Sequence, residues 1–251
     1  HYLQIERGMT AGFIASENLN SKDEKLLLTM NDLDRAIDEA IFIFLHTTKN
    51  TKSYVLELLD DVKANRKSIY LLNMSTTDAK AYYTKHISTL LGFIKTLPTA
   101  MNDKENRTYI EAYNHLATAK EALGIVRATL NEVFTTHKFL DPLFLQFVGN
   151  LELYTSNTLL FETIAPVQTL SFHQQNMRKP VVDETFQIIE SAIKYKSNKE
   201  FETEASYWFT KATQTMNLMK ETEDQLFCHV RDLIDEKLET VFYKIVFIVS
   251  F

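Results

Sequence analysis

Residues that make turns are scarce in this chain. Five glycines and four prolines are spread over 251 residues. Sandwiches and barrels use such residues at nearly every hairpin, so the scarcity argues against them and for long helices. Cysteine is nearly absent too. Cys228 alone can form no disulfide within the chain and no cysteine-based zinc site. Its expected place is a half-buried core position, and the sharper alternative is a disulfide across a dimer axis. Positive charge is not in excess: 27 Lys and Arg face 33 Asp and Glu, for a formal charge of −6. That balance gives no support for a nucleic-acid partner. No Gly-rich phosphate loop, no His-x-x-x-His pair on a helix and no nucleophile elbow is present. The chain therefore offers no catalytic site, no metal ligand set and no cofactor motif, and the seven histidines are scattered. His46, His86 and His115 read as ordinary helix-surface or loop-edge residues.

A continuous run of roughly 20 apolar residues, the length needed to span a bilayer, is also missing. The closest approach is "VFYKIVFIVSF" at 241–251, almost wholly apolar and following a long charged helix. We read 1–240 as one helical domain and 241–251 as the start of a transmembrane helix, with a buried helix end as the alternative. The chain begins at His1 within a helical pattern and without a methionine, so a missing signal peptide carries no information on location. Asn73-Met-Ser75 and Asn106-Arg-Thr108 are sequons, the second in a polar stretch read as a loop, and they lean weakly toward extracellular exposure.

What is abundant is helical periodicity. The spacing predicts a helix to about Ala15, and a second from the Ser21/Glu24 capping pair to about His46, striped by Leu26, Leu33, Ile37, Ala40 and Phe44. Further helices are predicted over about 53–72, 77–97 (capped by "STTDAK" and stopped before Pro98) and 107–138. Others follow from Asp141 as N-cap to Ala165, then to about Met177, and over 180–195. The last, from about Glu202 onward, is longer than about 60 Å at 1.5 Å per residue. "PTAMNDKENR" is the longest polar connector and reads as a hinge. The expected fold is all-α, with two stacked antiparallel helical bundles sharing long helices.

Two of these helices carry charge where apolar residues belong. Leu3, Arg7, Thr10 and Ile14 share one side of the first, with Glu6 inside its apolar arc. On the fifth predicted helix, Tyr109, Tyr113, Leu116, Lys120, Leu123, Arg127, Leu130 and Phe134 form a seam interrupted by Lys120 and Arg127. A guanidinium keeps its proton, so it needs an anion wherever it is buried. One reading is internal: Glu6 pairs with Lys120 or Arg127, and the network merely sets register. The other is a bound anion, because forked donors converging from two helices suit a small planar oxyanion, with Thr10 adding a hydrogen bond. Gly8, Ala11, Gly12 and Ala15 form a small-residue strip that admits a neighbouring backbone, either another helix or a second subunit.

"LQIERGMTAGFIAS" resembles the opening signature of the NIT domain, the nitrate- and nitrite-sensing domain, with Thr10 where serine is usual. "AKEALGIVRATLNEVF" (119–134) resembles that family's second stretch, in which Glu121 precedes the mid-helix Arg127; Val126 stands where an acidic residue is common. "ASYWFTKATQTMNLMKETEDQL" resembles its late stretch, with Trp208 and the Ala212-Thr213 pair. The resemblance implies an all-helical fold of two bundles that holds nitrate or nitrite on core arginines, here Arg7 and Arg127. Glu6, Thr10, Lys120 and Trp208 are our own additions as supporting residues. The expected function is a ligand-binding sensor domain of a membrane receptor, placed outside the cytoplasm and acting as a homodimer upstream of an output such as a guanylate cyclase or kinase. The alternative is a structural or dimerisation bundle with an internal Glu-Arg network and no small ligand.

Overall fold

The computed structural model describes residues 1–15, 52–100, 104–194 and 203–249, together with positions 28, 31, 32, 35 and 196. The predicted second helix, its stripe, His46 and most of the "TTKNTKS" loop lie outside the described residues. Within them the chain forms eight helices and no strand: α1 (Tyr2–Ala15), α2 (Lys52–Tyr70), α3 (Thr76–Ala100), α4 (Lys104–Thr136), α5 (Asp141–Ile164), α6 (Val167–Met177), α7 (Pro180–Lys194) and α8 (Ala205–Val249).

Helix α4 is the shared axis of two bundles. One of its sides packs on α5 and α8, with α6 and α7 lying along α8. Their common core runs from Leu116, Leu123 and Leu130 to Phe147, Phe161, Trp208 and Met216, all fully buried. The opposite side of α4 meets α1 and α3. There Leu3, Leu58, Val62, Ile69, Tyr83 and Ile87 form a second core that includes α2. This is the all-α, two-bundle arrangement expected from the periodicity. Helix α1 runs parallel to α4, since Gln4 meets Gly124, Gly8 meets Arg127 and Gly12 meets Asn131.

The helix ends follow from local chemistry. Ser75 caps α3: its hydroxyl accepts from the Asp78 N–H at 3.1 Å and donates to the Asp78 carboxylate at 2.6 Å. Helix α3 runs past Pro98 to Ala100, because a proline in the final turn removes a single hydrogen bond rather than breaking the ladder. Leu140, not Asp141, is the N-cap of α5. The Asp141 carboxylate is drawn away to Lys196 at 2.8 Å. The two helices that end nearest the α1 side do so without glycine. Leu72 after α2 and His137 after α4 take left-handed backbone angles, φ 56° and 55°, a conformation glycine adopts without steric cost.

Several local expectations are corrected. Cys228 is exposed rather than half-buried in the core. His86 is buried, with Nε2 2.9 Å from the Asp61 carboxylate. Asn106, expected in a loop, sits in the first turn of α4 at 6% exposure. The small-residue strip of α1 faces α4 and α8, so its helix-packing reading holds. Among the described residues, no helix is long and apolar enough to cross a membrane.

Two measurements check this account. His137→Gly relieves the left-handed strain at an exposed site and is expected to stabilise by about 0.5–1 kcal/mol in urea unfolding. His173, 1% exposed and packed on Phe161, is pushed by burial from 6.5 to about 4. The folded state therefore holds it neutral. Its stabilisation is complete above pH 6.5 and is lost as pH falls from 6.5 toward about 4, on the order of 3 kcal/mol in all. His173→Phe should flatten that limb of a melting-temperature profile.

Candidate functional site

Helices α1, α3, α4 and α8 converge on two buried guanidinium groups. Arg7 is 1% exposed and Arg127 is fully buried. Both reach the interior because glycines line their paths. A Cβ on Gly124 would lie 2.9 Å from an Arg7 terminal nitrogen, and one on Gly8 would lie 3.2 Å from Arg127 Nε. Gly12 likewise leaves room for Asn131, whose amide donates to the Gly8 carbonyl at 3.1 Å.

Arg7 forks onto the Glu121 carboxylate, its Nη1 on Oε1 and its Nη2 3.2 Å from Oε2. Nη1 also donates to Thr84 Oγ1 at 3.0 Å. Gln4 Nε2 donates to the same carboxylate at 2.8 Å. Among the described residues, no carboxylate pairs with Arg127. It donates to the Gln4 carbonyl and, at 2.9 Å, to Thr213 Oγ1, with its guanidinium 4.7 Å from the centre of the Phe209 ring. Burial and then the neighbouring Arg7 charge pull the Arg127 guanidinium down to about 9, with Glu121 offsetting part of this. Arg7 Nε and Arg127 Nε are buried without a hydrogen-bond partner.

An open-sided cavity of about 560 Å³ adjoins Arg7. Its walls come from α3, α4 and the start of α5, and Thr84, Thr129, Lys80 and Glu132 are among its polar groups. The Thr129 hydroxyl lines it, fully buried and unpartnered. Lys80 and Glu132 pair with each other at 2.5 Å. The cavity lies within the usual size range of small-molecule sites.

The expected partners are redistributed. Glu6 does not meet Lys120 or Arg127. It accepts from Arg66 at 2.7 and 3.0 Å and from the Tyr83 hydroxyl at 2.8 Å, on the α2–α3 side of α1. The reason is angular: Glu6 precedes Arg7 by about 100° around α1, so the two point at different neighbours. Thr10 is fully buried beside the Tyr83 hydroxyl on that same side. Lys120 is committed to Glu223 of α8, both nearly inaccessible, and burial outweighs that pairing to lower its pKa. Trp208 lies behind Arg127, its ring N–H donating to the Arg127 carbonyl at 2.9 Å.

Residues 1–231 match the family described as nitrate and nitrite sensing, NIT. The chain belongs to the NIT family. No curated protein is similar enough to the NIT chain to match it. The solved structure of the NasR transcription antiterminator shares its fold, with a TM-score of 0.82 at 18% identity over 95% of this chain. The NIT chain spans 66% of that solved chain.

Four participants escaped the sequence reading: Glu121 as the counterion, Gln4, Thr213 and the close-approach Gly124. Glu121 did carry a signal, its place ahead of Arg127 in the stretch that resembles the second NIT segment. The Lys120–Glu223 pair gives a direct check on how α4 is held to α8. Lys120→Met alone strands a buried carboxylate and should cost about 3–5 kcal/mol in urea unfolding. Adding Glu223→Leu should recover most of that loss.

Proposed function

We propose that this NIT domain binds nitrate or nitrite between α1 and α4, with Arg7 and Arg127 as the anion-binding groups. The observation that carries the reading is the unpartnered pair of buried nitrogens, Arg7 Nε and Arg127 Nε, next to a cavity that reaches Arg7. Planar forked donors match a planar oxyanion in geometry and charge. Glu121 and Gln4 position Arg7, and Trp208 and Thr213 position Arg127. Lys120 and Glu6 act at a distance, by holding α4 to α8 and α1 to α2 and α3.

The wider reading is a sensor domain of a membrane receptor, with residues 241–251 beginning a transmembrane helix and the described domain outside the cytoplasm. It draws support from α8, an unbroken helix from the Trp208–Arg127 contact to Val249. An anion that pulls on Arg127 changes the packing of α4 on α8. The signal requires that one packing bind the anion better than the other, and a coupling of about 1–3 kcal/mol is enough. A homodimer belongs to the same reading, with Leu145, Val148 and Leu159 forming an exposed apolar stretch of α5. NasR, which has this fold, is a transcription antiterminator, so a guanylate cyclase or kinase output rests on the membrane reading and not on the fold.

A second reading is favoured by the Arg7–Glu121 pair itself. A bundle whose arginine already has an internal carboxylate needs no ligand to be stable. Nitrate separates the two readings against a chloride control of equal ionic strength. At a hundred times its dissociation constant it should stabilise by about 2.7 kcal/mol and raise the melting temperature by about 5–10 °C. Arg7→Ala should abolish the shift. An equal response to chloride, or undiminished calorimetric binding by Arg7→Ala, overturns the assignment.

A further inference from the structure

The buried charges at the centre of the molecule do not cancel. Arg7 and Arg127 contribute two positive charges, and the single carboxylate reaching them is Glu121 among the described hydrogen bonds and ion pairs. Glu6 and Glu223, the other nearby buried carboxylates, are engaged by Arg66 and Lys120 respectively. Glu132 is held by Lys80 across the cavity. One positive charge is thus left over, at Arg127, whose partners are a carbonyl, a hydroxyl and an aromatic face. Uncompensated buried charge is costly, and the lowered pKa of Arg127 has the same origin.

We propose that Glu121 is the charge selector of this site: it neutralises one of the two arginines and so restricts the ligand to a single small monoanion, excluding sulfate, hydrogen phosphate and other dianions. The inference rests on the anion-binding reading above and adds its selectivity. A monoanion brings the cluster to neutrality. A dianion overshoots it and faces the buried Glu121 carboxylate, where like charges are poorly screened and repel. Size alone does not discriminate, because the adjoining cavity of about 560 Å³ exceeds any of these ions. Glu121 also keeps the Arg7 fork in place when no ligand is bound, so the ligand meets donors already aimed.

Glu121→Gln preserves the shape and removes the charge. Calorimetry and thermal shifts with nitrate, sulfate and chloride at matched ionic strength read the effect. The wild type should respond to nitrate and not to sulfate. Glu121→Gln should bind nitrate at least about tenfold more tightly and gain a response to sulfate. If the variant does not fold in anion-free buffer, rescue by sulfate as well as nitrate is the expected result, and rescue by nitrate alone or by neither overturns the proposal. A wild type that binds sulfate as tightly as nitrate overturns it without any variant. A wild type that responds to nitrate, with a folded Glu121→Gln that gains neither affinity nor sulfate binding, overturns the charge selection and leaves the anion-binding reading standing. A wild type silent to nitrate overturns both.

Discussion

Arg7 and Arg127 retain their charge wherever they are placed, and the chain places both in the interior of one helical assembly. Everything near them answers the demand for oxygen that follows. Glu121 on α4 meets Arg7, Thr84 on α3 shares it, the Gln4 carbonyl on α1 meets Arg127, and Thr213 on α8 completes that side. Four helices are thereby joined through two side chains. The demand is met incompletely, since a nitrogen of each guanidinium is left without a partner. A bundle selected for stability alone has no use for that shortfall. The anion site proposed above would take up those donors.

The same centre shows why small residues cluster on α1. Gly8 and Gly12 let α4 and α8 approach until Arg127, Phe209 and Asn131 touch its backbone. Close approach is what allows a backbone carbonyl of α1 to serve as an arginine acceptor. Trp208 then locks the carbonyl of Arg127 from the far side, so α8 and the arginine share a hydrogen bond. The buried Arg127 is in this way mechanically joined to the longest helix among the described residues. The outer pairs, Glu6–Arg66 and Lys120–Glu223, fasten the neighbouring elements at either end.

Much of this was legible in the residue order. The 3.6-residue period predicted Leu3, Arg7 and Thr10, and Lys120 and Arg127 of α4, as inward-facing, and all five are buried; Thr10, though, turns to the Tyr83 hydroxyl beside Glu6 rather than to the arginines. Among the described residues, the helices and their rough extents followed from caps, prolines and the scarcity of glycine. Errors fell where a tertiary partner overrode a local signal. Asp141 looks like an N-cap but is held by Lys196; Asn106, read as a loop residue, lies in the first turn of a helix that starts earlier than predicted. The pairing of charges was the largest miss. Glu6 was matched to the cations of α4, whereas Arg66, sixty positions away in the chain, holds it.

What the sequence settled by itself is the set of positions that face inward, because a helix's period fixes the angle of each side chain about its own axis. Which inward charge meets which was decided only by the tertiary structure. That choice depends on how neighbouring helices are rotated and shifted, and residues more than a hundred positions apart, such as Arg7 and Glu121, carry no local trace of it. The unfilled donor beside them is likewise a property of the assembled helices, left over once every other partner has been assigned.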